Sequence, residues 1–159
     1  MNIYPIQQSI VAHLQQSFAS VGVPFLAKDL PEKEADFDRG VSVPNVYVIY
    51  SGSQADKSSS TNTIAQNRRL QFNVEVNARK LYGTTGLFVV RDIVEQALIG
   101  FLPTNCQRLY LIRDDISQTD DRDIWIHVFQ MECVTMLIQK EENEVIIVPS
   151  FQEIIAKEE

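Results

Sequence analysis

The chain has 159 residues, 45% of them hydrophobic and 22% charged, with a net charge of −7. That length supports one domain with a buried core, and no apolar run approaches the roughly 18 residues of a membrane helix. The acidic balance argues against a surface that grips nucleic acid by neutralising phosphates. The first residues lack the basic start and continuous apolar stretch of a secretory signal, so synthesis in the cytoplasm is expected.

The first element is a helix over residues 5–20, where Ile6, Ile10, Leu14 and Phe18 recur every four residues as one apolar stripe. Pro5 suits the first turn, where its missing N–H costs nothing, and Gly22 is a stop. Gln7, Gln8, Gln15 and Gln16 lie away from the stripe, so the helix packs from one side. The apolar segment Val23 to Leu26 reads as a short edge strand, and residues 31–40 as a solvated loop. Glu32, Glu34, Asp36 and Asp38 alternate in that loop without the residue order of a calcium site, so no metal is expected there.

Residues 45–50 form a strand that is apolar on both faces, as an interior strand covered on two sides would be. A polar tract, SQADKSSSTNTIAQN, follows. It separates that strand from a second in which Leu70, Phe72, Val74, Val76 and Ala78 alternate with Gln71, Asn73, Glu75 and Asn77. A hairpin connection this long is usually functional or disordered, so the tract reads as a projecting arm. The polar face of the second strand is expected to be wet or to meet a polar partner.

A second helix is predicted over residues 86–99, with Thr84 or Thr85 as the N-cap, Gly100 as the stop and Pro103 preventing resumption. Its main stripe is Leu87, Val90, Val94, Ala97, Leu98 and Phe101. Phe88, Val89 and Ile93 widen the apolar arc enough to predict cover beyond the sheet. A strand over residues 108–115 and a polar turn lead to a strand spanning residues 123–139, about 50 Å if unbroken. Gln130 and Glu132 interrupt one of its apolar faces, which predicts a bulge or bend near residues 128–132. In the tail, residues 145–148 read as a strand, and Ser150 with Glu153 as a capping box for a short helix.

Helix, strands, helix, strands is the order of an α+β fold: an antiparallel or mixed sheet, two main helices on one face, and a long polar hairpin arm. Residues 1–142 form the domain and residues 143–159 a C-terminal extension.

Chemistry is sparse. The two histidines, His13 and His127, read as structural, and Asp114-Asp115 and Asp120-Asp121 as turn or strand-end carboxylates. No phosphate-binding glycine loop, dinucleotide fingerprint, nucleophile elbow or zinc-protease motif is present. No catalytic, cofactor-binding or metal-binding residue is therefore assigned; an enzyme reading would have to use Asp114, Asp115 or His127. Cys106 and Cys133, without metal-ligand spacing, read as buried reduced thiols on strands, with a disulfide as the alternative.

The order of segments resembles the phage tail terminator and tail-completion proteins, including the related small proteins of Mu-like prophages. The likeness runs over residues 5–139: the amphipathic helix ending near VGVPF, the PNVYVIY strand with its polar arm, RRLQFNVEVNARKLYG, the helix LFVVRDIVEQALIGFLP, the strand with RDD, and DIWIHVFQMECVTM. The resemblance implies a non-catalytic virion protein, a hexameric ring that caps the tail tube, stops its polymerisation and receives the head-side connector. Its implied partners are further copies of itself, the tail tube protein and the head–tail connector proteins, with DNA only as passing cargo and no membrane. The acidic charge would suit a lumen through which DNA slides. The interface residues it implies are Ser53, Gln54, Asp56, Lys57, Arg68 and Arg69 on the arm, and Phe151, Ile154 and Ile155 in the tail. The alternatives are a stand-alone, non-catalytic binding or regulatory domain of the same layout, or another neck or tail-completion protein.

Overall fold

The long alternating segments define the centre of the molecule. In the computed structural model, which describes residues 2–33, 43–120 and 123–140, the order is α1 (Ile3–Val21), β1 (Leu26–Asp29), β2 (Asn45–Ala55), β3 (Ala65–Ala78), α2 (Leu87–Leu98), β4 (Tyr110–Gln118) and β5 (Trp125–Ile138). The five strands form one sheet in the order β1-β2-β3-β5-β4. β1 pairs parallel to β2, and the other three pairings are antiparallel. This is the mixed-sheet α+β arrangement that the element order implies, with α1 lying on β1 and β2, and α2 on β3 and β5.

Between helices and sheet lies the core. Ile6, Ile10, Leu14 and Phe18 of α1 and Leu87, Val90, Val94 and Leu98 of α2 are buried against Val46, Val48, Leu70, Phe72, Val74, Val76, Phe129 and Met131. Each such side chain contributes about 1.5–3 kcal/mol of transfer free energy. Gly22, at φ +78°, ends α1, and its N–H reaches the carbonyls of Phe18 and Ala19.

Several sequence expectations change. The N-cap of α2 is Gly86, with no side-chain cap. Instead, the N–H groups of Leu87 and Phe88 donate to the carbonyls of Lys80 (2.7 Å) and Leu81 (3.2 Å), so a folded-back loop does the work assigned to Thr84 or Thr85. A Cβ at Gly86 would lie 2.5 Å from the Tyr82 backbone, which is why a glycine stands there. The second apolar sector of α2 is covered only in part: Ile93 packs against the core, but Phe88 and Val89 are exposed, and the Phe88 ring meets that of Tyr82 at 5.6 Å. The edge strand starts at Leu26 rather than Val23, and the strand placed at 108–115 runs instead from Tyr110 to Gln118.

β5 has no bulge. It holds one unbroken register with β3, from Ala78↔Trp125 to Ala65↔Ile138. The irregularities fall in other strands, between Tyr50 and Gly52 in β2, paired with β3, and between Leu111 and Arg113 in β4, paired with β5. Gln130 and Glu132 do not interrupt the core because they sit on the face turned away from α1 and α2, helix-free among the described residues, opposite Asn73 and Gln71. Nor is the polar face of β3 simply wet: Glu75 and Asn77 are 5% and 1% exposed. Asn77 Nδ2 donates to Asn45 Oδ1 at 3.0 Å, while Tyr47, opposite Glu75, is also buried. The expected strand at 145–148 and the short helix after it lie outside the described residues.

Candidate assembly surface

The arm is shorter as a loop and stiffer as a structure than the polar tract implies. β2 continues to Ala55 and β3 begins at Ala65, leaving residues 56–64 as the connection. Because β5 pairs with β3 as far as Ile138, the projection is a three-stranded end of the sheet rather than a bare hairpin. Its tip is tied internally. Asp56 N–H donates to Asn67 O (2.8 Å) and Ser59 N–H to Ala65 O (2.9 Å), while Ser58 Oγ donates to Ser60 O and accepts from Ala65 N–H. These bonds supply the order that a sequence of Ser, Thr and Asn conceals.

The implied interface residues divide by role. Arg68 is held by Ser53 Oγ at 2.8 Å and by the Tyr50 hydroxyl at 3.4 Å. Arg69, on the opposite face, reaches Asp56 at 3.4 Å and stands across from Gln54. Lys57 is exposed on the connection. The structure thus brings Ser53, Gln54, Asp56, Lys57, Arg68 and Arg69 to one end of the molecule. It spends the two arginines largely on bracing the arm. Phe151, Ile154 and Ile155 lie outside the described residues.

Exposed apolar groups on the same arm escaped the sequence reading. Ile64, Met136 and Ile138 are all exposed there, and their grouping depends on the β3–β5 register. Beside them on the helix-free face, the Tyr110 hydroxyl donates to Glu132, whose other oxygen accepts from Gln71 Nε2 at 3.3 Å. The hydrogen bond to Glu132 pushes the Tyr110 phenol up to about 12. Period-two alternation in β3 and β5 was the available signal, but it could not supply the register.

The groups that an enzyme would use are partly assembled. His127 Nε2 lies 3.0 Å from Asp114 Oδ2, out of line for a well-formed hydrogen bond. Asp115 instead pairs with Arg113 on the other face at 2.6 Å. Arg91 of α2 spans Asp92, Glu95 and Asp114 and lies over the Phe129 ring, 5.4 Å from its centroid. Burial, aided by the Arg91 charge, pulls the His127 pKa below its ordinary value against the opposing effect of Asp114. The neutral imidazole that results is flanked by a carboxylate, a guanidinium and a phenyl ring. Such a cluster pins an edge strand to a helix. His13 has a comparable structural place, with Nε2 2.9 Å from Ala97 O and its ring stacked on Phe101 at 3.9 Å. Among the described residues, no group of three His, Cys, Asp or Glu side chains is placed to hold a metal ion.

Both cysteines are free thiols, with Cys133 buried and Cys106 partly exposed on the loop before β4. The hydrogen bond that the Cys133 thiol donates to Cys106, together with burial, pushes the Cys133 thiol up, while accepting that bond lowers Cys106. No described helix is long and apolar enough to cross a membrane.

The family comparison covers most of the surface just described. The family model for Gp37 protein matches residues 10–154. The chain belongs to the Gp37 protein family. A solved chain in "Virion of native gene transfer agent (GTA) particle" shares the fold, with a TM-score of 0.53 and 14% sequence identity, over 82% of this chain and 94% of that one. No curated protein sequence matches. The Gp37 fold is therefore one that a virion chain also adopts over nearly its whole length, in agreement with the α+β reading.

Proposed function

We propose that this Gp37-family protein is a structural component of a phage virion or a phage-derived particle, and that it caps the tail tube as a hexameric ring. In that role it ends tube polymerisation and offers a surface to the head-side connector. The observation that carries the reading is the fold shared with a chain of a gene transfer agent virion across 94% of that chain. The arm supports it: a braced projection with Ile64, Met136 and Ile138 uncovered at its end is suited to grip a protein surface. A net charge of −7 suits a ring through which DNA slides without sticking. The partners are further copies of this chain, the tube protein and the connector, with DNA as cargo. Synthesis takes place in the cytoplasm, and the protein leaves it within the particle.

Length control is the direct test. Tube protein polymerised with increasing amounts of this chain should give shorter tubes, with the chain found at one end by gold labelling. Tubes of unchanged length, with no end-bound label, would overturn the reading.

A further inference from the structure

We infer that the two edges of the sheet form one subunit contact: β4 of one copy pairs antiparallel with β1 of the next, and Ile116 seats in the groove beside β1. The inference rests on the ring reading above and names the contact that would close the ring.

β4 is an unusual edge. Every residue from Tyr110 to Gln118 except Leu111 is exposed, including Ile112 at 47% and Ile116 at 48%. Long edge strands with uncovered apolar side chains are templates for pairing. At the other end of the sheet, β1 presents Leu26 and Lys28 on an edge that no described strand occupies. Between β1 and α1 lies an open groove of about 310 Å³, its apolar lining from Phe18, Ala19, Val23 and Ala27 flanked by Gln15 and Lys28; Gln15 Nε2 donates to Ala27 O at 3.1 Å, a bond that an added strand displaces. One chain thus carries an apolar knob on one edge and an apolar recess on the other.

Strand directions fit a second copy. Counting through the pairings, β1 and β4 run antiparallel within one sheet. A neighbour related by rotation about an axis along the strands therefore offers β1 antiparallel to β4, with its helices on the same side. Two different edges meeting head to tail make the heterologous contact from which rings close.

Charge and facing select a register. Ile116 lies opposite His127 and Ala27 beside Val46, so both face the helix layer. Placing them opposite each other puts Asp115 against Lys28 on the helix-free face, exchanging its exposed intrasubunit partner Arg113 for a cation across the contact. Asp114 then faces Asp29, a like-charge pair that counts against the register; Arg91 offsets Asp114, and Gln7 Nε2 hydrogen-bonds Asp29 at 3.1 Å without neutralising it.

The experiment follows assembly of the full-length chain by size exclusion with light scattering. Ile116→Asp, an exposed position, should leave the circular dichroism spectrum unchanged and weaken assembly by at least about tenfold. Lys28→Asp and Asp115→Lys should each weaken it, and the double exchange should restore it. Rings that persist in all three single variants, or a double exchange no better than either single one, would overturn this contact while leaving the ring reading intact. A wild-type chain that stays monomeric at high concentration with tube protein present would overturn both.

Discussion

His127 and Asp114 are diagonal neighbours on the helix side of the β4–β5 pair, their Nε2 and Oδ2 atoms 3.0 Å apart. Arg91 faces them from α2, close enough to offset the carboxylate, and Glu95 contributes a weaker opposing charge. Burial and Arg91 win, so the folded state holds the imidazole less basic than the unfolded chain, whose ordinary value is 6.5.

The sign of the pH effect follows. Below about pH 6.5 the unfolded chain takes up a proton that the folded chain resists, so stability falls with pH. The slope from this one site is bounded by about 1.4 kcal/mol per pH unit. Urea unfolding between pH 5 and 7.5 should show a steeper acid-side loss in the wild type than in His127→Gln. Equal slopes would remove His127 as the source.

The thiols should react in order. Cys106, partly exposed and held more acidic by its contact with Cys133, should be modified by a thiol reagent in the native protein. Cys133, buried with its thiol pushed up, should react only on unfolding. Mass spectrometry of the partly labelled protein checks the order, and simultaneous labelling of both would contradict it.

Gly86 is fixed by close approach. An alanine there sets a Cβ 2.5 Å from the Tyr82 backbone, which must move and loosen the loop bonds to Leu87 and Phe88. Gly86→Ala should cost about 1–3 kcal/mol in chemical denaturation, whereas alanine at Thr84 or Thr85, neither of which caps the helix, should stay within about 0.5 kcal/mol.

Tyr110 offers an optical signal. With its phenol pushed up to about 12 by Glu132, one of the five tyrosines should ionise late in an alkaline titration followed at a wavelength specific for phenolate. Tyr110→Phe should delete that late phase.

The arm separates fold from assembly. Replacing residues 57–63 by Asn-Gly preserves the pairs Gln54↔Arg69 and Ala55↔Arg68, so the melting temperature should hold while tube capping is lost. A deletion beginning at Ser53 would also remove paired strand, and its effect would mix the two. Capping that survives the shorter replacement would reduce the arm to a connection.

Much of the layout was legible because its signals are local. The four-residue stripe of α1, the alternation of β3 and the Gly100 stop each point to one element. What stayed hidden depended on partners distant in sequence. The Thr84 and Thr85 caps failed because Lys80 and Leu81 fold back over the helix start. The bulge expected in β5 failed because Gln130 and Glu132 face polar residues of β3 rather than the core. Likewise, His127 and Asp114 could be seen as candidates, but the alignment of β4 with β5 decides that they meet and that Asp115 does not join them. The exposed apolar end of the arm needed the full β3–β5 register.

Electron microscopy of the purified protein tests the central claim most directly. The account predicts closed rings of six copies that seat on one end of tail tubes. Single compact particles with no ring, alone and in the presence of tubes, would contradict it.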